Sequence, residues 1–341
     1  MSMQFVYGPV PSRRLGRSLG IDPLPVKTCN WNCVYCQLGR TRRLRTEREV
    51  FYPAQDILAE LQEALRQLGA GRGARAPGRE IDWITFVGSG EPTLHAQLGE
   101  LIVGAKRLSP LPVAVITNGS LLHLPELRAE LLTADAVMPS VDAGSQELFR
   151  RLNRPHSSFS LRQHLGGLED FRQEYGGKLW VEVMLVEGMN DSSAALEDIA
   201  RVLQPIRPDA IHLSLPERPP SESWVRPARE ECLTRAQAIL SDVADVLHPA
   251  LGPFSFSEGG DLRQQVEEIV RRHPLQEDVL LRAVATARGT GAAAGSPPGE
   301  APDRMIEELV SSGRVQRVRR YGRAFVAAGD LSYGAQEEHG K

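Results

Sequence analysis

Residues 29–36 read Cys29-Asn30-Trp31-Asn32-Cys33-Val34-Tyr35-Cys36, three thiols within eight positions. An iron–sulfur cube takes one thiolate per iron when it only carries electrons, so a compact run of three leaves one iron open to a reactive ligand. The 341-residue chain has only four cysteines, and the fourth, Cys232, lies far downstream. Usage this sparse predicts a reducing, cytoplasmic setting, because disulfide scaffolds are short and cysteine-dense. Met1–Gly20 carries Arg13, Arg14 and Arg17 but no apolar core of signal-peptide length, and no stretch reaches the length of a membrane span. The expectation is a soluble chain with no membrane partner.

With 40 basic and 43 acidic residues and a net charge of −3, composition excludes a globally basic nucleic-acid coat. Two local arginine groups remain. Arg40, Arg42, Arg43, Arg45 and Arg48 follow the cysteines, and Arg314, Arg317, Arg319, Arg320 and Arg323 lie near the end.

Short apolar runs alternate with segments of helical period, which predicts βαβ units and a parallel sheet. Strands are expected near residues 18–23 and at 83–87, 113–117, 136–141, 179–186 and 210–215. Helices are expected after Pro53, on the stripe Ile57, Leu58, Leu61, Leu65 and Leu68, and at 97–108, 125–132, 161–175, 194–203 and 234–247. Six strand–helix units make a partial (β/α)6 barrel, whose functional groups gather at the carboxyl ends of the strands. Residues 1–260 form this core. Residues 261–341 read as three polar helices and a hairpin turned at Tyr321-Gly322, the order of a small winged-helix-like domain. Gly- and Ala-rich stretches at 69–80 and 289–302 read as flexible connections, the second inserted in the winged-helix-like domain.

Directly after the expected strand at 83–87 comes Val87-Gly88-Ser89-Gly90-Glu91-Pro92. Its glycines allow a ligand close to the backbone, whose carbonyls accept hydrogen bonds from an ammonium. Together, the cysteine spacing, Tyr35 before the last cysteine, and this loop resemble the radical S-adenosylmethionine (radical SAM) superfamily. Tyr7–Arg14, Gly88–His95, Met184–Asp191 and Arg218-Pro219-Pro220 are further similar to a subgroup related to the tRNA wyosine (4-demethylwyosine) synthases. Those enzymes carry a second cluster on further N-terminal cysteines. This chain has none before Cys29.

The resemblance implies that Cys29, Cys33 and Cys36 bind a [4Fe–4S] cluster whose fourth iron chelates S-adenosylmethionine. Reductive cleavage would then yield a 5′-deoxyadenosyl radical that abstracts hydrogen from a substrate. It implies that Gly88, Ser89, Gly90 and Glu91 meet the methionine moiety, and that a low-potential flavodoxin or ferredoxin supplies the electron. By position at the barrel mouth, Asn118 is expected to face the ligand and Ser140 and Asp142 the ribose. The adenine is expected near Tyr35 and the strand at 210–215. Glu182 and His212 are the catalytic candidates. Glu182 and Met184 alternate on one strand, one expected inward and the other outward, whereas His212 and Ser214 share a face.

Alternatives stand beside these readings. The cysteines suit a zinc site closed by Cys232 or a histidine. Asn118-Gly119 suits a plain turn, and Asp142 suits the cap of a helix starting near Ser145. Glu182 and His212 suit ordinary paired polar residues, and Cys232 a bystander thiol. For function, a tRNA or other RNA substrate gripped by the C-terminal arginines stands first. A small metabolite or partner protein, with the C-terminal domain as docking module, stands second, and a cluster-bearing sensor third.

Overall fold

The computed structural model describes residues 5–69, 81–240, 243–247, 256, 261–289 and 301–333. Most of both Gly-rich connections and the expected boundary at 260 lie outside the described residues.

An eight-stranded sheet runs in sequence order through β1 (Val6–Ser12), β2 (Gly16–Ile21), β3 (Trp83–Phe86), β4 (Val113–Thr117), β5 (Ala136–Pro139), β6 (Lys178–Met184), β7 (Ala210–Ser214) and β8 (Ala244–Val246). β1 pairs antiparallel with β2, and every later pair is parallel. The crossovers carry helices α1 (Ala54–Gln67), α2 (Leu98–Leu108), α3 (Pro125–Leu131), α4 (Gln146–Leu152), α5 (Leu161–Glu174), α6 (Ser193–Leu203) and α7 (Glu230–Leu240). Ile57, Leu61 and Leu65 of α1 are buried against the sheet, with Leu58 and Leu68 at the edge of the same cluster. Each side chain of this size removed from water contributes about 1.5–3 kcal/mol. No helix among the described residues is long and apolar enough to cross a membrane.

Two strands depart from expectation. β1 is antiparallel and proline-bearing; its start is held by the Glu60 carboxylate of α1, which accepts from the amides of Phe5 and Val6, both at 2.7 Å. The helix expected to run to residue 247 ends at Leu240, and Ala244–Val246 instead pairs with β7. A three-residue strand is too short to show period-2 alternation, so the helical stripe masked it.

β6 sets the geometry of the interior. Leu179, Val181 and Val183 are buried against the helices, while Trp180, Glu182 and Met184 alternate with them. Residues two apart on a strand share a face. Glu182 and Met184 therefore both point into the barrel lumen, contrary to the expectation that they would diverge.

The C-terminal module has its own core around Leu262, Val266, Met305, Ile306 and Val326. Helices α8 (Leu262–Arg272), α9 (Glu277–Gly289) and α10 (Pro302–Ser311) pack with an antiparallel sheet ordered β10 (Val315–Arg320), β11 (Arg323–Ala328) and β9 (Leu275–Gln276). This is the helix–strand–helix–helix–hairpin order of a winged helix. The module rests on the barrel: Arg272 at the end of α8 donates to Asp22 Oδ2 at 2.9 Å, with exposures of 8% and 2%.

Candidate functional site

A cavity of about 530 Å³ lies in the barrel lumen, lined by the loops after the strands and by the β1–β2 turn. Cys29, Cys33 and Cys36 lie on its wall, on the loop that follows β2. That loop is fixed from several sides. Val34 N donates to Leu152 O at 3.0 Å, and Ser221 Oγ donates to the carbonyls of Cys33 and Val34 at 2.8 and 2.9 Å. Trp31 is buried edge-on against Phe149 and His164.

Each sulfur has a nitrogen donor beside it. Trp31 N and Asn118 Nδ2 approach Cys29 Sγ at 3.4 and 3.8 Å, Asn153 Nδ2 approaches Cys33 Sγ at 3.9 Å, and Lys27 Nζ approaches Cys36 Sγ at 3.2 Å. Burial pushes the Cys29 thiol up to about 12 and the Cys33 thiol well above its usual range. A cation bound beside these sulfurs would favour their thiolate forms.

The three thiols on one cavity wall, each with a nitrogen donor beside its sulfur, fit a cluster that spreads its thiolates over separate irons. The alternative zinc ligand Cys232 lies in α7, buried in the main core, with its thiol toward the Asp191 carbonyl at 3.5 Å.

The glycine loop is tied directly to the cysteine loop. Thr28 and Gly90 form a parallel bridge, with Glu91 N donating to Thr28 O at 2.8 Å and Lys27 N to Ser89 O at 2.6 Å. A Cβ at Gly90 would stand 1.8 Å from Thr28 O, and one at Gly88 2.1 Å from Asp22 Oδ1, so the approach requires glycine at both. Gly88, Gly90 and Glu91 line the cavity. Ser89 instead turns to Asp22, donating from Oγ at 2.7 Å and from its amide at 3.1 Å.

Glu91 is 2% exposed and accepts four hydrogen bonds, from Thr93 N and Oγ1, Thr117 Oγ1 and Asn118 N, at 2.6 to 3.0 Å. Burial still pushes its carboxyl upward against these donors. It locks the loop after β3 to the end of β4, and so orients Asn118. The Asn118 segment is both a turn and a cavity wall: Gly119 has φ +77°, while the Asn118 amide donates to Asn30 Oδ1 at 2.7 Å beside Cys29.

Tyr35 and Ser140 line the cavity, but Asp142 does not. The Asp142 carboxylate is buried and accepts from the Tyr35 hydroxyl, from Asn153 Nδ2 at 2.6 Å and from Met184 N at 2.8 Å. The alternative role, capping the next helix, belongs to Ser145, whose Oγ accepts from Leu148 N. Asp142 is thus held by Tyr35, Asn153 and Met184 outside the cavity lining, where it fixes the Tyr35 hydroxyl.

Glu182 accepts from Arg14 Nη1 at 2.9 Å and Ser214 Oγ at 2.7 Å. Burial opposes its ionisation, but Arg14 and Ser214 outweigh it and hold the carboxyl below its ordinary value. His212 pairs with Glu182 across β6 and β7 and sits beside Trp180; burial, then Arg14, pushes its imidazole down to about 4. It is outside the cavity lining.

Sequence reasoning assigned no role to Lys27, Asn153, Arg13, Arg14 or Arg218. Lys27 stands two residues before Cys29 with φ +61°, a left-handed conformation unusual for lysine. The three arginines belong to the stretches Tyr7–Arg14 and Arg218-Pro219-Pro220, whose chemistry carried no local signature.

The C-terminal arginines are mostly engaged within the module. Arg314 meets Glu267 at 2.6 Å, Arg317 meets Glu277 and Glu307 at 2.8 and 2.9 Å, and Arg320 is fully buried. The expected basic wing is thus largely neutralised. Among the post-cysteine arginines, Arg48 grips Glu130 with two bonds, Arg40 meets Glu222 and Arg45 meets Glu49, whereas Arg42 and Arg43 are exposed.

Comparison with known proteins places the chain. The family pattern described as "Radical SAM superfamily" matches residues 24–203. The UPF0026 protein MJ1312 of Methanocaldococcus jannaschii is 34% identical over 284 residues, covering 82% of this chain and 85% of that protein. A protein named GTPase Obg from Brachyspira hyodysenteriae is 40% identical over 232 residues, 68% of this chain, but the chain spans only 33% of its length. Among solved structures, a radical SAM methyltransferase from Sphaerobacter thermophilus overlays with a TM-score of 0.49 at 21% identity, over 67% of this chain and 65% of that one. With the superfamily pattern matching more than half of its length, and with the cysteine and glycine loops joined on one cavity, the chain belongs to the radical SAM superfamily.

Proposed function

We propose that this protein is an enzyme in which Cys29, Cys33 and Cys36 hold three irons of a [4Fe–4S] cluster and the adjoining cavity binds S-adenosylmethionine at the fourth. The observation that carries this reading is the Thr28–Gly90 bridge, which joins the thiol-bearing loop to the glycine loop along one cavity wall. When bound and reduced, the cluster supplies the electron that cleaves the sulfonium to a 5′-deoxyadenosyl radical.

The chain's own residues then have separate tasks. Gly88 and Gly90 let backbone approach the methionine moiety, and Glu91 holds Asn118 at the cavity wall. The amides of Asn118 and Asn153 and the ammonium of Lys27 offset negative charge gathered at the sulfurs. Tyr35, fixed by Asp142, and Ser140 form the wall available to the nucleoside. A low-potential flavodoxin or ferredoxin is the partner expected to reduce the cluster.

The geometry favours a substrate small enough to enter the lumen. Ile269, His273, Leu275, Gln276 and Phe325 of the C-terminal module help to wall the cavity, so the module covers the site. A second reading, a tRNA nucleotide, draws on the resemblance to wyosine synthases and on the exposed Arg42 and Arg43.

The test is anaerobic reconstitution with iron and sulfide, then S-adenosylmethionine and dithionite, with 5′-deoxyadenosine read by mass spectrometry. Formation that requires Cys33 and rises with a small-molecule extract supports the enzyme and the small substrate. A rise with total tRNA alone transfers the assignment to the second reading. A fully clustered protein that forms no 5′-deoxyadenosine with either addition overturns the proposal.

A further inference from the structure

Away from the cysteines, the lumen wall carries Arg13 and Arg14 from the β1–β2 turn, Glu182 from β6, and Glu217 and Arg218 from the segment after β7. Arg14 and Glu182 close as a pair at 2.9 Å. Arg13 and Arg218 are left to share one carboxylate, Glu217. The Arg13–Glu217 contact is 3.3 Å long but out of line for a hydrogen bond, and Arg13 Nη1 is buried with no hydrogen-bond partner. Arg218 donates through Nη1 to the neutral Gln37 Oε1 at 2.7 Å.

One positive charge is therefore in excess on a partly desolvated wall. Burial and the neighbouring Arg13 push the Arg218 guanidinium down to about 10, against the pull of Glu217. The nearby His273 adds no charge, because burial and then Arg218 push its imidazole down to about 3. A half-buried cation held beside another cation costs free energy that an anion returns. Guanidinium groups meet carboxylates and phosphates in two-pronged geometry, which makes these two arginines a ready clamp for an oxyanion.

We infer that Arg13 and Arg218 form an oxyanion subsite that anchors a small carboxylate- or phosphate-bearing substrate in the lumen. The inference deepens the reading above by naming the substrate's class, and it rests on that reading for the use of the cavity. Glu217, 35% exposed, would act as the resident counter-ion that the ligand's oxyanion displaces.

The test titrates the reconstituted protein anaerobically with inorganic phosphate and, separately, with glutarate, using calorimetry, and titrates S-adenosylmethionine in parallel. Saturable binding of either probe is expected, and the tighter one identifies phosphate or carboxylate as the substrate's anchor. Arg13→Gln and Arg218→Gln should each weaken it by roughly tenfold or more, while S-adenosylmethionine affinity holds. Glu217→Gln should tighten it, a gain that a merely structural role for these residues would not produce. No binding of either probe, or binding indifferent to all three substitutions, overturns the subsite. Parallel loss of S-adenosylmethionine binding also overturns it, since the arginines would then serve that ligand's carboxylate. Should the arginine variants fail to fold, the Glu217→Gln titration decides alone. Absent anion binding with intact 5′-deoxyadenosine formation would refute the subsite only, and the converse would refute the radical reading only.

Discussion

At one end of the cavity, thiols and a glutamate that accepts four hydrogen bonds are met by neutral amides, hydroxyls, backbone N–H groups and a single lysine. At the other, guanidiniums outnumber the carboxylates that face them. The first arrangement suits a group held by covalent ligands and backbone approach, where charge is supplied by whatever binds. The second suits a ligand held by its own charge. The two ends are joined through Gln37, next to Cys36: it accepts from Arg218 and donates to the Arg272 carbonyl of the module at 3.0 Å, while Tyr333 of the module donates to its carbonyl at 2.8 Å.

The largest expected effect is at the cysteine end. Cys33→Ala removes one of three thiols, and the remaining two cannot hold a cube of this kind. We expect loss of visible cluster absorbance and of 5′-deoxyadenosine to background, with anion binding at the far end retained. Loss of both together would show that the two ends do not function separately.

Next comes Asp22, which ties the glycine loop to the C-terminal module. Its carboxylate receives Ser89 of the glycine loop and Arg272 of the module, with little solvent on either side. Removing one partner of a buried pair costs about 3–5 kcal/mol, against 0–1 kcal/mol for an exposed pair. Asp22→Asn should therefore lower the melting temperature by on the order of 10 °C and weaken S-adenosylmethionine binding. Arg272→Met, which spares the Ser89 contacts, should loosen the module and leave that binding nearer the parent. Equal effects on S-adenosylmethionine would remove the distinction.

How far each end was legible in the chain follows from the range of its contacts. The cysteine turn closes locally, with Cys36 N donating to Cys33 O at 3.1 Å, and the glycine loop carries its own steric signature, so both could be read in place. The barrel's order was legible for the same reason, each helix burying a stripe against the adjoining strand. The Asp142 partner Tyr35 is more than a hundred positions away, so their contact could not be read from the chain. Arg13 and Arg218 belong to segments that only the closed barrel brings together, and no periodicity marks such a meeting. The arginines of the wing looked basic in sequence because Glu267, Glu277 and Glu307 come from other helices.

Acid should affect both regions through buried histidines. Burial pushes His164 of the core down to about 4 and His273 of the module down to about 3, and His212 is similarly held near 4. A histidine with a folded pKa below its unfolded value of about 6.5 stabilises the fold above that pH, and the contribution is lost as pH falls through the folded value. Asp142 works the other way: burial pushes its carboxyl up to about 6 despite its donors, so its contribution is present at low pH and lost as pH rises through that value. Burial also holds His95 down and Glu91 up, so four depressed histidines against two raised carboxyls leave a net decline below pH 6.5. Urea denaturation at stepped pH should show it, and His273→Gln should flatten the slope by removing the module's share. An unchanged slope would mean that the module's docking does not titrate.

The smallest effect expected separates a covering module from a nucleic-acid reader. Each lysine or arginine that meets a phosphate adds close to one counter-ion to the salt dependence of binding. Arg317 is held between Glu277 and Glu307, so its charge is already answered within the module. Arg317→Gln together with the exposed Arg323→Gln should leave the salt slope of any tRNA binding unchanged, and 5′-deoxyadenosine formation as well. A slope reduced by about one would mean that the exposed Arg323 meets the backbone, and one reduced by about two that Arg317 also leaves its place to do so. Arg317 would then have to give up two glutamates for one phosphate, and that exchange is the reason to expect no change.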